Sequence, residues 1–400
     1  MKRKIMRRHI ALCAALCMTA ALLTGCGGSA ATGSTDSGGA ESGSSAASTY
    51  TPDPAEYELI DVSYFDRSWS MDSDELGIFN LDLTTHDPAS SMKTQFLEEW
   101  CRLVQEATDG GVNITIYPGG TMASASEALT AVETGSCDMA WFLGSNFSDI
   151  LPVTCMFYLP GLGLGDNITD CDVMWDLYDK YPAFEQEYTD NNLKLIHLYT
   201  CGSISINGVK VTSLEDFRGK NIRTTGGYAA DLMELLGASP ISMGPGDLYD
   251  SMSKGVLDGY GLEWSGIKTF NLNEVTDYYN NDPLWVTILG VIMNLDTYNS
   301  LPAEYQEVID YYSGRDMSLQ QAYNWDIENR ESQESLSTPE QNVSFDEADY
   351  AELMEICRNY SEEQAEALTT ADFDAVAFLN DIYAEVEAHE DFVYYRETQG

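Results

Sequence analysis

Arg223 is one of 20 basic residues in a chain of 400 that carries 65 acidic ones, and its place in the sequence suits it to holding a carboxylate. It closes the run Asp216-Phe217-Arg218-Gly219-Lys220-Asn221-Ile222-Arg223, which reads as a short strand. Thr224-Thr225-Gly226-Gly227 then turns into a helical segment reaching Leu236, and Gly237-Ala238-Ser239-Pro240 leads into a second strand. Gly255-Val256-Leu257-Asp258-Gly259 introduces a third, ahead of Glu263-Trp264. A βαβαβ run of this kind favours a parallel sheet, and ligands of open α/β sheets bind outside the carboxyl ends of the strands. A guanidinium at such an end is a natural clamp, because its planar fork matches two carboxylate oxygens. Tyr228, Tyr249 and Trp264 could stack against the body of a ligand there, or simply pack. Glu263 is an acid close to the same strand ends.

Catalytic patterns are thin. No HExxH, GxSxG, P-loop or GxGxxG pattern occurs. Of the four histidines, His197 lies inside an apolar run and reads as a core residue, His389 sits in an acidic C-terminal helix, and His9 belongs to the N-terminal segment. A pair of carboxylates could support glycoside hydrolysis, but nothing in the sequence selects one pair. The expectation is therefore a binding protein rather than an enzyme, with no cofactor and no metal. Asp72 to Gly77 superficially suggests a calcium loop, but it lacks the acidic twelfth residue.

Met1 to Cys26 reads as a secretory signal. Lys2, Arg3, Lys4, Arg7 and Arg8 precede an apolar run from Ile10 to Leu23, too short for a bilayer span of roughly 20 residues. Its ending, Leu23-Thr24-Gly25-Cys26, resembles the bacterial lipoprotein cleavage box, which implies lipidation of Cys26 and attachment to the outer face of a membrane. Gly27 to Ser48 is nearly all Gly, Ser, Ala and Thr and behaves as a flexible tether. The signal holds five basic residues and no acids, so the remainder carries a formal charge of −50, with 15 basic residues against 65 acidic ones. That excludes a nucleic-acid partner, since phosphate binding needs a positive face. Cys101, Cys137, Cys155, Cys171, Cys201 and Cys357 form no CxxC unit and read as buried structural thiols.

The elements that must position Arg223 follow from the pattern along the chain. Tyr57 to Tyr64 and Ile78 to Thr84 read as strands. A helix with Phe96, Trp100, Leu103 and Val104 on one face follows Ser90 and Ser91, reasonable N-caps. Ile114 to Tyr117, Asp138 to Phe142 and Leu193 to Tyr199 are further strands, and Trp141 and Phe142 at a strand exit either floor a cleft or pack the core. Leu284 to Leu295 is a continuous apolar strand. Pro302 opens a long helix from Ala303 to about Ser335, and amphipathic helical segments fill Asp346 to Glu397.

The ordered set F-R-G-K-N-I-R, L-G-A-S-P, D-L-Y and G-V-L-D-G, with A-L-T-A-V-E-T-G-S-C-D-M-A before it and N-L-D-T-Y-N-S-L-P-A-E-Y-Q-E-V-I after it, resembles the solute-binding proteins of tripartite ATP-independent periplasmic (TRAP) transporters, of the dicarboxylate-binding, DctP-like type. The resemblance covers about residues 78 to 335. It implies a two-lobed, periplasmic-binding-protein-like α/β fold with mixed sheets, crossover strands and a long helix spanning both lobes. The expected organisation is signal 1–26, tether 27–54, an N-terminal extension 55–77, lobe 1 at 78–199, lobe 2 at 200–294, the connecting helix at 295–345 and C-terminal helices at 346–400. It further implies a small carboxylate ligand, hinge closure, and delivery to integral membrane permease subunits. In this family the loop at His86 lines the cleft, and Asn294 faces the ligand. A further arginine often follows the strand at Leu193; Thr200 to Ser205 has none, which argues against a dicarboxylate held by two guanidinium groups. One branch carries an acid-Trp pair whose acid falls three residues beyond the aspartate matching Asp258; here Gly261 holds that place and Glu263 comes two later. A sensor or adhesin module on the same fold, engaging a protein instead of a solute, is the alternative.

Overall fold

The computed structural model describes residues 47–389 and 391–398. The expected signal segment with Cys26 and His9, and the tether as far as residue 46, lie outside the described residues. No helix among the described residues is long and apolar enough to cross a membrane.

Twelve strands organise the described residues. β1 (Ser48–Tyr50) and β2 (Trp69–Met71) pair with each other, antiparallel, in the N-terminal arm. The remaining strands are β3 (Phe79–Thr84), β4 (Val112–Tyr117), β5 (Met139–Leu143), β6 (Leu193–Asn207), β7 (Asn221–Thr224), β8 (Ser239–Ser242), β9 (Gly259–Leu262), β10 (Tyr279–Asn280), β11 (Trp285–Asn294) and β12 (Asn342–Val343). Their order is β4-β3-β5-β11-β6-β9-β7-β8, with β10 and β12 beside the end of β6. β3, β4 and β5 run parallel, as do β7, β8 and β9, while β6 and β11 are antiparallel to their neighbours.

That arrangement is the expected two-lobed α/β fold, and β6 and β11 are its crossovers. The end of β11, Leu289 to Met293, pairs with β5 in one lobe, and the end of β6, Ser205 to Asn207, pairs with β9 in the other. β11 has no charged residue and is buried at all ten positions, as a strand covered on both faces must be. β6 was expected to stop at Tyr199; it continues to Asn207, almost wholly buried. The ladder between the two slips twice, at Val286/Ile288 and at Val291/Ile292, and such irregularities are where a sheet bends.

Two other expectations are corrected. Tyr57 to Tyr64 is not a strand: one short 3-10 turn, Pro54–Glu56, precedes it and another, Val62–Tyr64, closes it, capped by Asp53 and Asp61. Its amide groups find a carboxylate in place of a partner strand, Glu99 accepting from Glu58, Leu59 and Ile60. Nor is there one helix from Ala303 to Ser335. Ala303–Tyr311 ends, and Gly314–Leu336 begins at a glycine with φ +71°, a conformation that side-chain-bearing residues rarely adopt. The second helix lies along the crossover. Its Asn329 donates to Cys201 O of β6 (2.9 Å) and accepts from Ser265 N (2.8 Å).

The helix Met92–Ala107 forms as its sequence suggests. Ser91 Oγ accepts from Thr94 N, and Phe96, Trp100, Leu103 and Val104 are fully buried. The C-terminal helices Glu347–Leu368 and Ala375–Ala388 are also present. The chain end returns to the arm, where Tyr395 donates to Asp61 Oδ2 (3.0 Å) and Arg396 to Leu59 O (3.1 Å).

Candidate functional site

Between the lobes lies a cavity with about 470 Å³ of non-atom space, part of it open to solvent, of which about 50 Å³ admits the centre of a water molecule. Elements from along the chain contribute walls: the loop after β3 (His86, Asp87), the first turn of the next helix (Lys93), β5 (Trp141, Leu143), β6 (Cys201, Ile204), β7 (Arg223), the exit of β9 (Leu262, Glu263), β11 (Thr287, Leu289) and the helix Gly314–Leu336 (Trp325).

Arg223 sits on β7 between β8 and β9 and is 1% exposed. Its Nε donates to Met243 O (2.9 Å) and its Nη1 to Gly261 O (2.8 Å). Those carbonyls lie at the exits of the neighbouring strands, so the strand ends themselves hold the guanidinium. Nη2 enters neither bond, and the residue lines the cavity. Burial lowers Arg223 to about 10, against the partial compensation of Tyr158 and Glu263, so it stays cationic at neutral pH.

Lys93, 3% exposed, is a second buried cation. Its Nζ stands 4.0 Å from Glu328 Oε2, 3.5 Å from Thr269 Oγ1 and 4.7 Å from the centre of the Trp325 ring. Burial alone pulls the ammonium down, yet Asp87, then Glu263 and Glu328, outweigh it and hold Lys93 above its ordinary value. The acids respond in the other direction. Burial raises Glu263 and Glu328, with Lys93 opposing in both cases. His86, buried against Trp141 with ring centres 4.7 Å apart, is lowered by its desolvation and is neutral at pH 7. Trp141 donates to Tyr199 OH (2.6 Å) and stacks at 6.5 Å on Trp325, giving the cavity a rigid aromatic wall.

Of the residues singled out from sequence, Arg223, His86, Trp141 and Glu263 meet here. The others do not. Asn294 is at the far end of β11, where its Nδ2 donates to Val132 O (2.7 Å) and its Oδ1 caps Thr297 N (2.9 Å); its whole side chain is spent on the turn. Tyr249 is exposed and donates to Glu274. Trp264 stacks on Tyr279 at 4.7 Å beside a different cleft, and Tyr228 packs on Tyr158 and Tyr360. Sequence reasoning missed Asp87, Lys93, Trp325 and Glu328. Lys93 did carry a signal: it stands three residues before Phe96 and seven before Trp100, on the apolar stripe. It also sits in a first helical turn, where the helix dipole disfavours a cation.

Asp172, Asp176 and His389 approach one another closely enough to suggest a metal centre. Arg315 already neutralises them, donating from Nε to Asp172 (2.8 Å) and from Nη1 to Asp176 (2.6 Å). This cluster is an ion-pair network tying the C-terminal helix down. All six described cysteines are buried free thiols.

Comparison with known proteins bears on the family and the fold. The family described as "Bacterial extracellular solute-binding protein, family 7" (DctP) matches residues 83–367. The uncharacterized protein YiiZ of Salmonella typhimurium is 24% identical over 252 residues, 62% of this chain and 75% of that protein. Among solved structures, a marine metagenome TRAP solute-binding protein specific for aromatic acid ligands, in complex with metahydroxyphenylacetate, superimposes with a TM-score of 0.71 at 19% identity, covering 78% of this chain and 100% of that one. A TRAP periplasmic solute-binding protein from Bordetella bronchiseptica with bound mandelate gives 0.70 at 25% identity, with the same coverage of each chain. The chain therefore belongs to the DctP family of bacterial extracellular solute-binding proteins.

Proposed function

We propose that this protein is the lipid-anchored, extracytoplasmic receptor of a TRAP-type transporter, which closes its two lobes over a small carboxylate and presents it to integral membrane permease subunits. The observation that carries this reading is Arg223: a desolvated guanidinium that lines the cavity, oriented by two strand-end carbonyls through Nε and Nη1. A fork held this way loses little entropy on taking a carboxylate, and exclusion of water strengthens the pair. Aromatic acids bound to relatives of the same fold support the ligand class, and Trp141 and Trp325 supply a matching wall. A single carboxylate suits the site better than two. The second cation, Lys93, is already faced by three acids, which leaves Arg223 as the anion clamp. The anchor would be Cys26, after removal of residues 1–25.

The test is a thermal-shift and calorimetric screen of carboxylates against the parent protein and Arg223→Ala and Arg223→Lys variants. A charge-assisted hydrogen bond contributes about 1.5–3 kcal/mol. Any acid bound by the parent should weaken by roughly 10- to 100-fold or more in the Ala variant and recover only partly in the Lys variant, which lacks the fork. Undiminished affinity in Arg223→Ala would sink the clamp. For the anchor, Cys26→Ala should release the protein from the membrane fraction.

A further inference from the structure

The carboxylate reading leaves unexplained the acids gathered around Lys93. Three acids, Asp87, Glu263 and Glu328, surround one ammonium there. None pairs with it closely: the nearest approach is 4.0 Å, to Glu328. Asp87 is 3% exposed, and its Oδ2 has no hydrogen-bond partner although it lines the cavity. Glu328 Oε2, beside Lys93 but outside the cavity lining, is likewise buried without a hydrogen-bond partner. A buried acceptor without a donor costs about 1–3 kcal/mol, and more when charged, so Asp87 Oδ2, on a residue that lines the cavity, marks where a ligand's donor belongs. An acid with nothing but a carboxylate would answer Arg223 and leave this acceptor unmet. It would also add a negative charge to a space where carboxyl groups already outnumber cations.

We propose that the ligand is a small zwitterion: a carboxylate taken by Arg223, an apolar body against Trp141 and Trp325, and a cationic N–H group donating to Asp87. The inference rests on the carboxylate reading above and adds the second pole. The charge balance supports it, since a ligand of zero net charge leaves the site no more acidic than before. Burial also raises Glu263 and Glu328 toward their neutral forms, which removes part of the excess negative charge without help from the ligand.

The experiment uses the full mature chain and matched pairs of probes that differ by one amino group: leucine and 4-methylpentanoate, phenylalanine and 3-phenylpropanoate. Affinity is measured by calorimetry for the parent, Asp87→Asn and Arg223→Ala. Asp87→Asn keeps the shape of the side chain, and its backbone bonds to Thr85 and Gly119 are untouched. The parent should bind at least one amino member more than tenfold better than its deaminated partner. Asp87→Asn should erase that preference by weakening the amino member alone. The inference is overturned if the deaminated acids bind as well as the amino members, or if Asp87→Asn leaves the preference intact. In either case, loss of all binding in Arg223→Ala keeps the carboxylate clamp, whereas parent-like binding in Arg223→Ala removes the clamp itself.

Discussion

Replacing Lys93 with Met should loosen the closed protein at neutral pH and spare it in acid. Met retains much of the stem that lies over Trp325 but removes the positive charge that Asp87, Glu263 and Glu328 share. At 4.0 Å, two unit charges in an effective dielectric of about 20 interact by about 4 kcal/mol. Breaking a buried pair by removing one partner typically costs about 3–5 kcal/mol. Both side chains are well buried, at 4% and 14% exposure, so solvent screening removes little of this. The pH dependence follows from the acids left behind. Glu263 and Glu328 are already raised by burial while Lys93 opposes; without it they rise further. A carboxyl whose folded value lies above its unfolded one contributes stability that is full below the unfolded value and is lost as pH rises through the folded one. The variant should therefore melt near the parent at about pH 5 and well below it at about pH 8. Small-angle scattering at the higher pH should show a larger radius of gyration as the lobes part. Equal melting temperatures of parent and variant at the higher pH would refute the claim that Lys93 holds these acids together.

Two further outcomes follow from groups outside the cavity. Asp326, on the helix beside the crossover, is raised to about 8, first by burial and then by Asp166, and its Oδ2 has no partner. Its folded value lies above the unfolded one, so its contribution is full below about pH 4 and fades through about pH 8. Asp326→Asn should flatten the fall in melting temperature between those limits; an unchanged slope would show that other groups set it. The thiols of Cys101, Cys155, Cys171, Cys201 and Cys357 are all raised, chiefly by burial, and thiolate is the reactive form. A thiol reagent should leave them unmodified in the native protein and label them in urea, and rapid native labelling would contradict the packing described.

The sequence by itself determined the fold class and the place of Arg223 in it. An apolar run as continuous as Trp285–Asn294 suits a strand covered on both faces, and an arginine closing a strand of a βαβαβ run falls at the strand ends, where Arg223 lines the cavity. Periodicity and turn residues are local, and local signals survive without coordinates. It misread Tyr57 to Tyr64, because the partner that satisfies those amides is the side chain of Glu99, some forty residues on, and it misread Ala303 to Ser335, where a glycine breaks the helix. Only the tertiary structure decided who shares the cavity. Asn294, Tyr249 and Trp264 stand at the ends of suitable strands and helices, yet their side chains are spent on a turn, a surface acid and a ring stack. Lys93 and Glu328 are far apart in the chain and meet because the crossover strands fold one lobe over the other. Which buried charges lie within a few ångströms is fixed by that closure, and no spacing along the chain records it.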